Sequence, residues 1–331
     1  MKVWIPCIHA NSGHDVFMRN LARGLKNLGY DVRFELLSRR YAFVPDALRL
    51  LPNRHKADVV IIGLEHAFAL RQHAKKLVAI LHHCVLDAAY QPYCTRLQKL
   101  LHRTAVRSWE GKSLKVSDVV VAVSNYTANS LQAALGGRRA TVILNGIDVN
   151  YFCPSENTTR HRSSPFRLLY VGNPSRRKGA DLLVPIMQRL GDDFILEYTG
   201  GLRAKSRLHR PNIHYLGRLS LDDLREAYRH ADALLFPSRL EGFGYVVAEA
   251  MACGTPVVAT DCSSIPELID DKSTGLLCQI DNVDAFAKSI VELRTNPDLY
   301  EYIQRNAREK VVKNFSNDRW IRDYDTLLQK I

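Results

Sequence analysis

The chain has 331 residues, 46 % of them hydrophobic and 24 % charged, which allows two ordinary domains and excludes a disordered or fibrous protein. No apolar run approaches the ~20 residues that cross a bilayer. The net charge of +12 sits almost wholly in the front half: residues 1–150 carry 21 Lys+Arg against 10 Asp+Glu, residues 151–331 carry 25 against 24.

The opening, "MKVWIPCIH", lacks the apolar core of a leader and reads as a first strand. A helix-period segment follows over 15–28, "DVFMRNLARGLKNL". Then come β-branched runs, "DVRFELL", "DVVIIGL", "KLVAILHH", "DVVVAVS" and "TVILN", with helical stretches between them. Residues 93–115 form a basic segment with Leu97, Leu100 and Leu101 at helical spacing and Trp109 beyond. Two readings stand for it: a face laid on an anionic membrane, or an amphipathic helix packed on the sheet. Residues 149–166, rich in Ser, Thr, Asn, Pro and Arg, break the alternation. The back half resumes with "FRLLYVG", "FILEYTG", "IHYLGR", "ALLFPS", "PVVAT" and "GLLCQI", and closes in helical segments at 282–295, 297–314 and 317–330. Apolar strands joined by helices predict parallel sheets covered on both faces. The expected fold is therefore α/β with two Rossmann-like, doubly wound domains. The divisions are 1–150, a linker 151–166, a second domain 167–315 and a terminal helix 316–331 packing back on the first domain.

Seven cysteines, Cys7, Cys84, Cys94, Cys153, Cys253, Cys262 and Cys278, are odd in number and never spaced C-x-x-C. They read as reduced thiols of a cytoplasmic protein, with neither a disulfide framework nor a zinc site. The only Asp-x-Asp, Asp323–Asp325, falls inside the last helix and reads as structural; no metal and no cofactor are expected.

The most informative stretch is 238–258, "SRLEGFGYVVAEAMACGTPVV". A strand runs into Gly242 and Gly244, and a helix begins near Gly244 and stops at Gly254 and Pro256. Its first turn offers unpaired N–H groups and the positive end of the helix dipole, a seat for phosphate. Glu241 lies just ahead of that seat; Glu249 lies ~7.5 Å along the helix axis. Carboxylates are good acceptors for sugar hydroxyls. The order carboxylate, anion seat, carboxylate matches sugar, diphosphate and ribose in a nucleotide sugar. The plainer alternatives are a dipole partner for Glu241 and an exposed helix position for Glu249.

"EGFGYVVAEAMACGTPVVAT" resembles the E-x7-E signature of the retaining glycosyltransferases of family 4, the group 1 enzymes of GT-B fold. "LLYVGNPSRRKGADLL" resembles their phosphate-binding strand, loop and helix. "IHYLGRLSLDDLREAYRHADALLFPS" resembles the segment lining the base pocket, which brings in Gly217 and Arg218. "IPELIDDKSTGLL" resembles the stretch that follows. "SGHDVFMRNLARGLKNLGYDV", "VVVAVSNYTANSL" and "VILNGIDVNYF" resemble landmarks of the acceptor domain. The resemblance is continuous over 167–280 and patchy before it. It implies two domains facing a cleft, an acceptor-binding domain first and a nucleotide-sugar domain second.

The resemblance also implies roles. Glu241 would meet hydroxyls of the donor sugar and Glu249 the ribose. Backbone N–H groups at Phe243, Gly244 and Tyr245 would hold the diphosphate, with Gly242 in the same turn. Lys178 would neutralise the leaving diphosphate. Asn173 stands where the family has an arginine; Arg176 or Arg177 is the candidate replacement. Gly13 would place a small-residue loop against the donor, and His82 aligns with a histidine near the reacting sugar. Catalysis would rest on Glu241, Lys178 and His82. Ser263 and Ser264 stand where two glycines are common, and their hydroxyls are alternative phosphate contacts.

The expected activity is metal-independent hexosyl transfer, with retention, from a UDP- or GDP-sugar to a glycan or lipid-linked acceptor. A setting in cell-envelope polysaccharide or lipopolysaccharide assembly follows, cytoplasmic or peripheral on the inner face of an anionic membrane. Nucleic acid is not an expected partner, because no binding module is present. The competing readings are a nucleotide-sugar epimerase of the same fold and a non-catalytic nucleotide-sugar-binding paralogue. A phosphorylase needs a longer chain and a cofactor lysine. A nicotinamide oxidoreductase would need a G-x-G-x-x-G after its first strand.

Overall fold

The computed structural model describes every residue except 11–12, 52–56, 138, 156–163, 201–207 and 209. The chain divides into two compact units: Met1–Asn145 with Trp320–Ile331, and Gly146–Arg319.

In the first unit six parallel strands run in the order β2-β1-β3-β4-β5-β6. They are β1 (Lys2–Ile8), β2 (Asp31–Leu37), β3 (Ala57–Gly63), β4 (Ala74–Leu81), β5 (Val119–Ala122) and β6 (Thr141–Val142). The Val and Ile residues of β3 and β5 are buried on both faces, as a covered parallel sheet requires. β2 lies at an edge and leaves Leu36 exposed. "TVILN" pairs over two residues only.

Helix α1 (Gly13–Asn27) buries Phe17, Met18, Leu21 and Leu25, a stripe of helical period. The short α2 (Leu64–Ala67) follows β3. Helix α3 (Arg96–Leu101) opens on a capping box between Thr95 and Gln98. A π-type turn over His102–Val106 joins it to α4 (Arg107–Val116). Leu97 and Leu100 are 76 % and 61 % exposed, so α3 does not pack its leucines on the sheet; α4 does the packing, through Trp109 and Leu114. Helix α5 (Asn125–Leu135) is capped by Ser124, whose hydroxyl accepts from the Thr127 N–H at 3.0 Å.

The second unit holds β7 (Phe166–Tyr170), β8 (Phe194–Thr199), β9 (Ile213–Gly217), β10 (Ala233–Phe236), β11 (Val257–Thr260) and β12 (Leu276–Cys278). They are parallel, in the order β12-β11-β10-β7-β8-β9. Helices α6 (Ala180–Leu190), α7 (Leu221–His230), α8 (Tyr245–Ala252), α9 (Ile265–Leu268), α10 (Val283–Thr295) and α11 (Pro297–Asn314) belong to the same unit.

The division between the units falls at Asn145/Gly146 rather than at residue 150. The reason lies in side chains remote in sequence. Arg308 donates to the carbonyls of Val149 at 3.0 Å and Phe152 at 2.9 Å, and Arg229 donates to the Cys153 carbonyl at 2.7 Å. The start of the expected linker is therefore part of the second unit, with Phe152 buried. The remainder at 156–163 lies outside the described residues.

Helix α12 (Asn317–Lys330) leaves the second unit and enters the first at Trp320. The Trp320 ring meets Phe17 edge-on at 4.8 Å, and the Tyr30 hydroxyl donates to Asp325 at 2.5 Å. Gly24 on α1 makes room there, since a Cβ would sit 2.3 Å from Ile321 Cδ1.

Each sheet reverses its winding once, between β1 and β3 in the first unit and between β7 and β10 in the second. At such a reversal the loops leaving neighbouring strands diverge and open a crevice beyond the carboxyl ends.

Candidate active site

The loops that leave β7 and β10 meet at the reversal of the second sheet. The first climbs through Asn173 to Lys178 and turns into α6 at Gly179, whose φ is 69°. A Cβ on Gly179 would lie 2.0 Å from the Pro237 carbonyl oxygen, so the backbones touch where only glycine fits. The second loop carries Ser238, Arg239, Leu240 and Glu241 to Gly244, which caps α8 with φ 101°. A side chain at Gly244 would press on Ile265 and Leu268 of α9.

Lys178 and Glu241 join the two loops. The ammonium Nζ lies 2.5 Å from Glu241 Oε1, which also accepts from the Ser238 hydroxyl at 2.6 Å. Glu241 is only 8 % exposed. Burial alone would raise its carboxyl. The Lys178 and Arg177 charges, with hydrogen bonds from Lys178 and Ser238, outweigh it and hold the group below the ordinary value. It is thus a buried carboxylate, ionised at neutral pH.

Of the two candidate replacements for the missing arginine, Arg177 lies with Glu241: its guanidinium donates to the Leu240 carbonyl at 2.6 Å. The Arg176 charge acts on Asp181 instead. Asn173 is exposed at the start of the loop.

Arg239 was not singled out by sequence. It is buried and grips Asp181 at the start of α6 through two bonds of 2.7 and 2.8 Å, and Asp281 through a third at 2.5 Å. It also donates to the Arg176 carbonyl. Such a forked clamp fixes one loop against the other. Its partners are 58 and 42 residues away, so no local pattern announces it.

Ser263 and Ser264 are occupied differently from expectation. The Glu241 N–H donates to the Ser263 hydroxyl at 3.0 Å, and the Ser264 hydroxyl donates to the carbonyls of Glu241 and Phe243 at 3.1 and 3.0 Å. Both hydroxyls brace the loop that carries Glu241; Ser264 spends its proton on these carbonyls, whereas Ser263 accepts and keeps its O–H as a donor. Ser263 has φ 52°, a left-handed conformation that glycine adopts more cheaply.

Glu249 is not an exposed helix glutamate. It is half-buried on α8 and accepts from the Tyr228 hydroxyl at 2.9 Å. Burial pushes its carboxyl up to about 7, against the opposing pull of Tyr228. Phe243 is buried and Tyr245 half-buried at the first turn of α8, their rings 5.2 Å apart. Gly242 lies between them and Glu241. Gly217, with φ 76°, ends β9, and Arg218 follows it on the surface; β9 is the edge strand two places from β7. The structure therefore groups Arg177, Lys178, Glu241, Gly242, Phe243, Gly244, Tyr245 and Glu249 around β7, β10 and α8, and places Gly217 and Arg218 at the end of β9 in the same sheet.

Gly13 and His82 belong to the first unit. Gly13 opens α1, with nothing within 4 Å of where its Cβ would be. His82 follows β4 and meets His14 and Phe17 edge-on at 4.8 and 4.5 Å. Burial, then the His14 charge, lowers its pKa well below the ordinary value, so the ring is neutral. With His14 it lines a cavity of about 370 Å³ at the reversal of the first sheet.

Among the described residues no three His, Cys, Asp or Glu side chains are placed to hold a metal. No helix among them is long and apolar enough to cross a membrane.

Comparison with known proteins converges on one family. The family model described as "Glycosyl transferases group 1" matches residues 155–310, and that described as "Glycosyltransferase Family 4" matches 33–151. An uncharacterized glycosyltransferase of Methanocaldococcus jannaschii is 31 % identical over 211 residues, covering 62 % of this chain and 57 % of the relative. The chain spans little more than half the length of the curated relatives it matches. Sucrose-phosphate synthase from Thermosynechococcus elongatus has the same fold, with TM-score 0.82 and 19 % identity over 99 % of this chain and 98 % of that one. The Anabaena protein HepE in complex with UDP superposes over the whole of both chains, with TM-score 0.79 and 17 % identity. Two Rossmann-like units, each covered by a model of the same enzymes, place this chain in the group 1 glycosyltransferases of GT-B fold.

Proposed function

We propose that this protein transfers a hexose, with retention, from a nucleoside-diphosphate sugar to a glycan or lipid-linked acceptor, without a metal. The observation that carries the reading is the Lys178–Glu241 pair at the sheet reversal, beside the first turn of α8. A diphosphate set there would meet the α8 amides, Lys178 and Arg177. Glu241 would accept from hydroxyls of the donor sugar and Glu249 from the ribose. In the reaction the bond from the anomeric carbon to the leaving phosphate oxygen breaks. The acceptor oxygen bonds to the same face, and its proton passes to the departing phosphate. The enzyme would contribute by stabilising diphosphate charge and by holding both sugars.

The UDP bound to HepE supports a nucleoside-diphosphate sugar as donor, a UDP- or a GDP-sugar. The first unit would take the acceptor. Exposed Leu97, Leu100 and Leu101 beside Arg96, Lys99 and Arg103 support a peripheral contact with an anionic membrane on its cytoplasmic side, in envelope polysaccharide assembly.

A thermal-shift panel of UDP- and GDP-sugars tests the reading. One donor should stabilise the protein selectively, and its product should keep the anomeric configuration by NMR. Stabilisation by no member of the panel would refute it.

A further inference from the structure

The loop after β7 carries the two cations proposed to meet the diphosphate, Arg177 and Lys178, and both charges sit on long side chains with many rotamers. Their directions depend on how the backbone at 176–178 is held. Arg239, on the loop after β10, holds it twice. Its backbone N–H donates to the Arg177 carbonyl at 2.9 Å, and its guanidinium donates to the Arg176 carbonyl. The two peptide planes that flank Arg177 are thus fixed by one residue. From that frame Arg177 reaches the Leu240 carbonyl at 2.6 Å and Lys178 reaches Glu241 at 2.5 Å.

The guanidinium is itself anchored from two further elements. Asp181 at the start of α6 takes two of its bonds, and Asp281 takes a third from beyond β12, two strands across the sheet from β10. Both carboxylates are exposed, whereas Arg239 is buried. Asp281 has φ 61°, a left-handed conformation that glycine adopts more readily, so the chain accepts strain at the residue that completes the clamp. Each nitrogen of the guanidinium already donates within the protein, so Arg239 is not placed to bind a phosphate itself. A lysine there would supply the charge but not the fork.

We propose that Arg239 is a positioning residue for the leaving diphosphate: clamped by Asp181 and Asp281, it sets the peptides around Arg177 and thereby aims the Arg177 and Lys178 side chains. The proposal rests on the transferase reading and adds to it a residue that touches neither substrate. Without the clamp both charges remain, but a diphosphate has to order the loop as it binds and loses affinity by that amount.

The experiment titrates UDP, GDP, uridine and guanosine into the full chain, followed by NMR, for the unaltered protein and for Arg239→Lys, Arg239→Met and Asp281→Gly. In Arg239→Lys the nucleoside diphosphate should bind about tenfold more weakly while its nucleoside binds as before. A merely structural role would weaken both alike. Arg239→Met should lose at least as much. Asp281→Gly suits the left-handed backbone, so it keeps the test open if the Arg239 variants fail to fold; it should lose diphosphate affinity severalfold and nucleoside affinity not at all. Undiminished diphosphate affinity in Arg239→Lys, equal losses for nucleotide and nucleoside, or an Asp281→Gly variant that binds like the unaltered protein would each overturn the proposal. An unaltered protein that binds neither UDP nor GDP would overturn the transferase reading and the proposal with it. An unaltered protein that binds one of them, with variants that bind it equally well, keeps the reading and loses the proposal alone.

Discussion

Lys178 and Glu241 are 63 residues apart in sequence and 2.5 Å apart in space, and their contact closes the gap between the loops of β7 and β10. Removing one partner should do two separable things. Glu241→Gln should cut sugar transfer on the order of 10²-fold and spare nucleotide affinity. Lys178→Met should weaken nucleoside-diphosphate binding by about tenfold or more and, by leaving a buried carboxylate, cost about 1–3 kcal/mol of stability. The double variant should lose less stability than the sum of the singles. Additive losses in chemical denaturation would show that the pair is not coupled.

If Glu249 holds the ribose as proposed, nucleotide binding should depend on pH. Its carboxyl is raised from 4.5 to about 7 in the folded protein. The folded state therefore holds the proton more tightly than the unfolded chain. The stability this gives is whole below 4.5 and is lost as pH rises through about 7. Nucleotide affinity should run the other way, rising through about 7 as the carboxylate proposed to accept from the ribose appears. Tyr228→Phe removes the bond that pulls the value down, so the affinity midpoint should move to higher pH. A midpoint that stays in place or moves down would dissociate Tyr228 from this control.

Gly179 tests the closure of the two loops directly. With φ 69° and the Pro237 oxygen 2.0 Å from any Cβ, Gly179→Ala must displace backbone. We expect a loss of about 3 kcal/mol or more, read as a lowered denaturation midpoint with the unfolding slope unchanged. Gly13→Ala, at a position with nothing within 4 Å, is the control and should change stability little.

Helix α3 carries the membrane prediction. Leu97→Glu with Leu100→Glu should leave thermal stability within about 0.5 kcal/mol, because both side chains are exposed. Co-sedimentation with phosphatidylglycerol vesicles should fall severalfold and become more salt-sensitive. Equal sedimentation of the variant and the unaltered protein would remove α3 from any membrane contact.

Much of this was legible in the sequence, for a physical reason. A parallel strand buried on both faces writes itself as a continuous apolar run, and among the described residues β5, β10 and β11 are such strands, while the half-exposed edge strands β2 and β9 stand at their expected runs on fewer apolar residues. The E-x7-E spacing and the glycines around it are local too, and they locate Glu241, Gly244 and Glu249. What stayed hidden depends on distant partners. Arg239 looks like any loop arginine until Asp181 and Asp281 arrive beside it. Nothing local shows that Ser263 and Ser264 brace the backbone of the Glu241 loop from 22 and 23 residues away. The leucines of 93–115 have helical spacing whether they face a core or not, and periodicity alone does not say which.

The passage of α12 from the second unit into the first also orders events during synthesis. Tyr30 and Asp325 are 295 residues apart, and Phe17 packs on Trp320. While the ribosome is still making the second unit, the face of α1 that receives this helix has no cover. The second unit can close on its own contacts as it emerges; the first has to wait for residues made after it. Its folding is thus a loop closure around an already folded insert, which predicts slow, late acquisition of native structure in the N-terminal unit. Shortening the chain before Trp320 should leave the second unit intact and expose Phe17 and Gly24 to proteases, chaperones and other nascent chains.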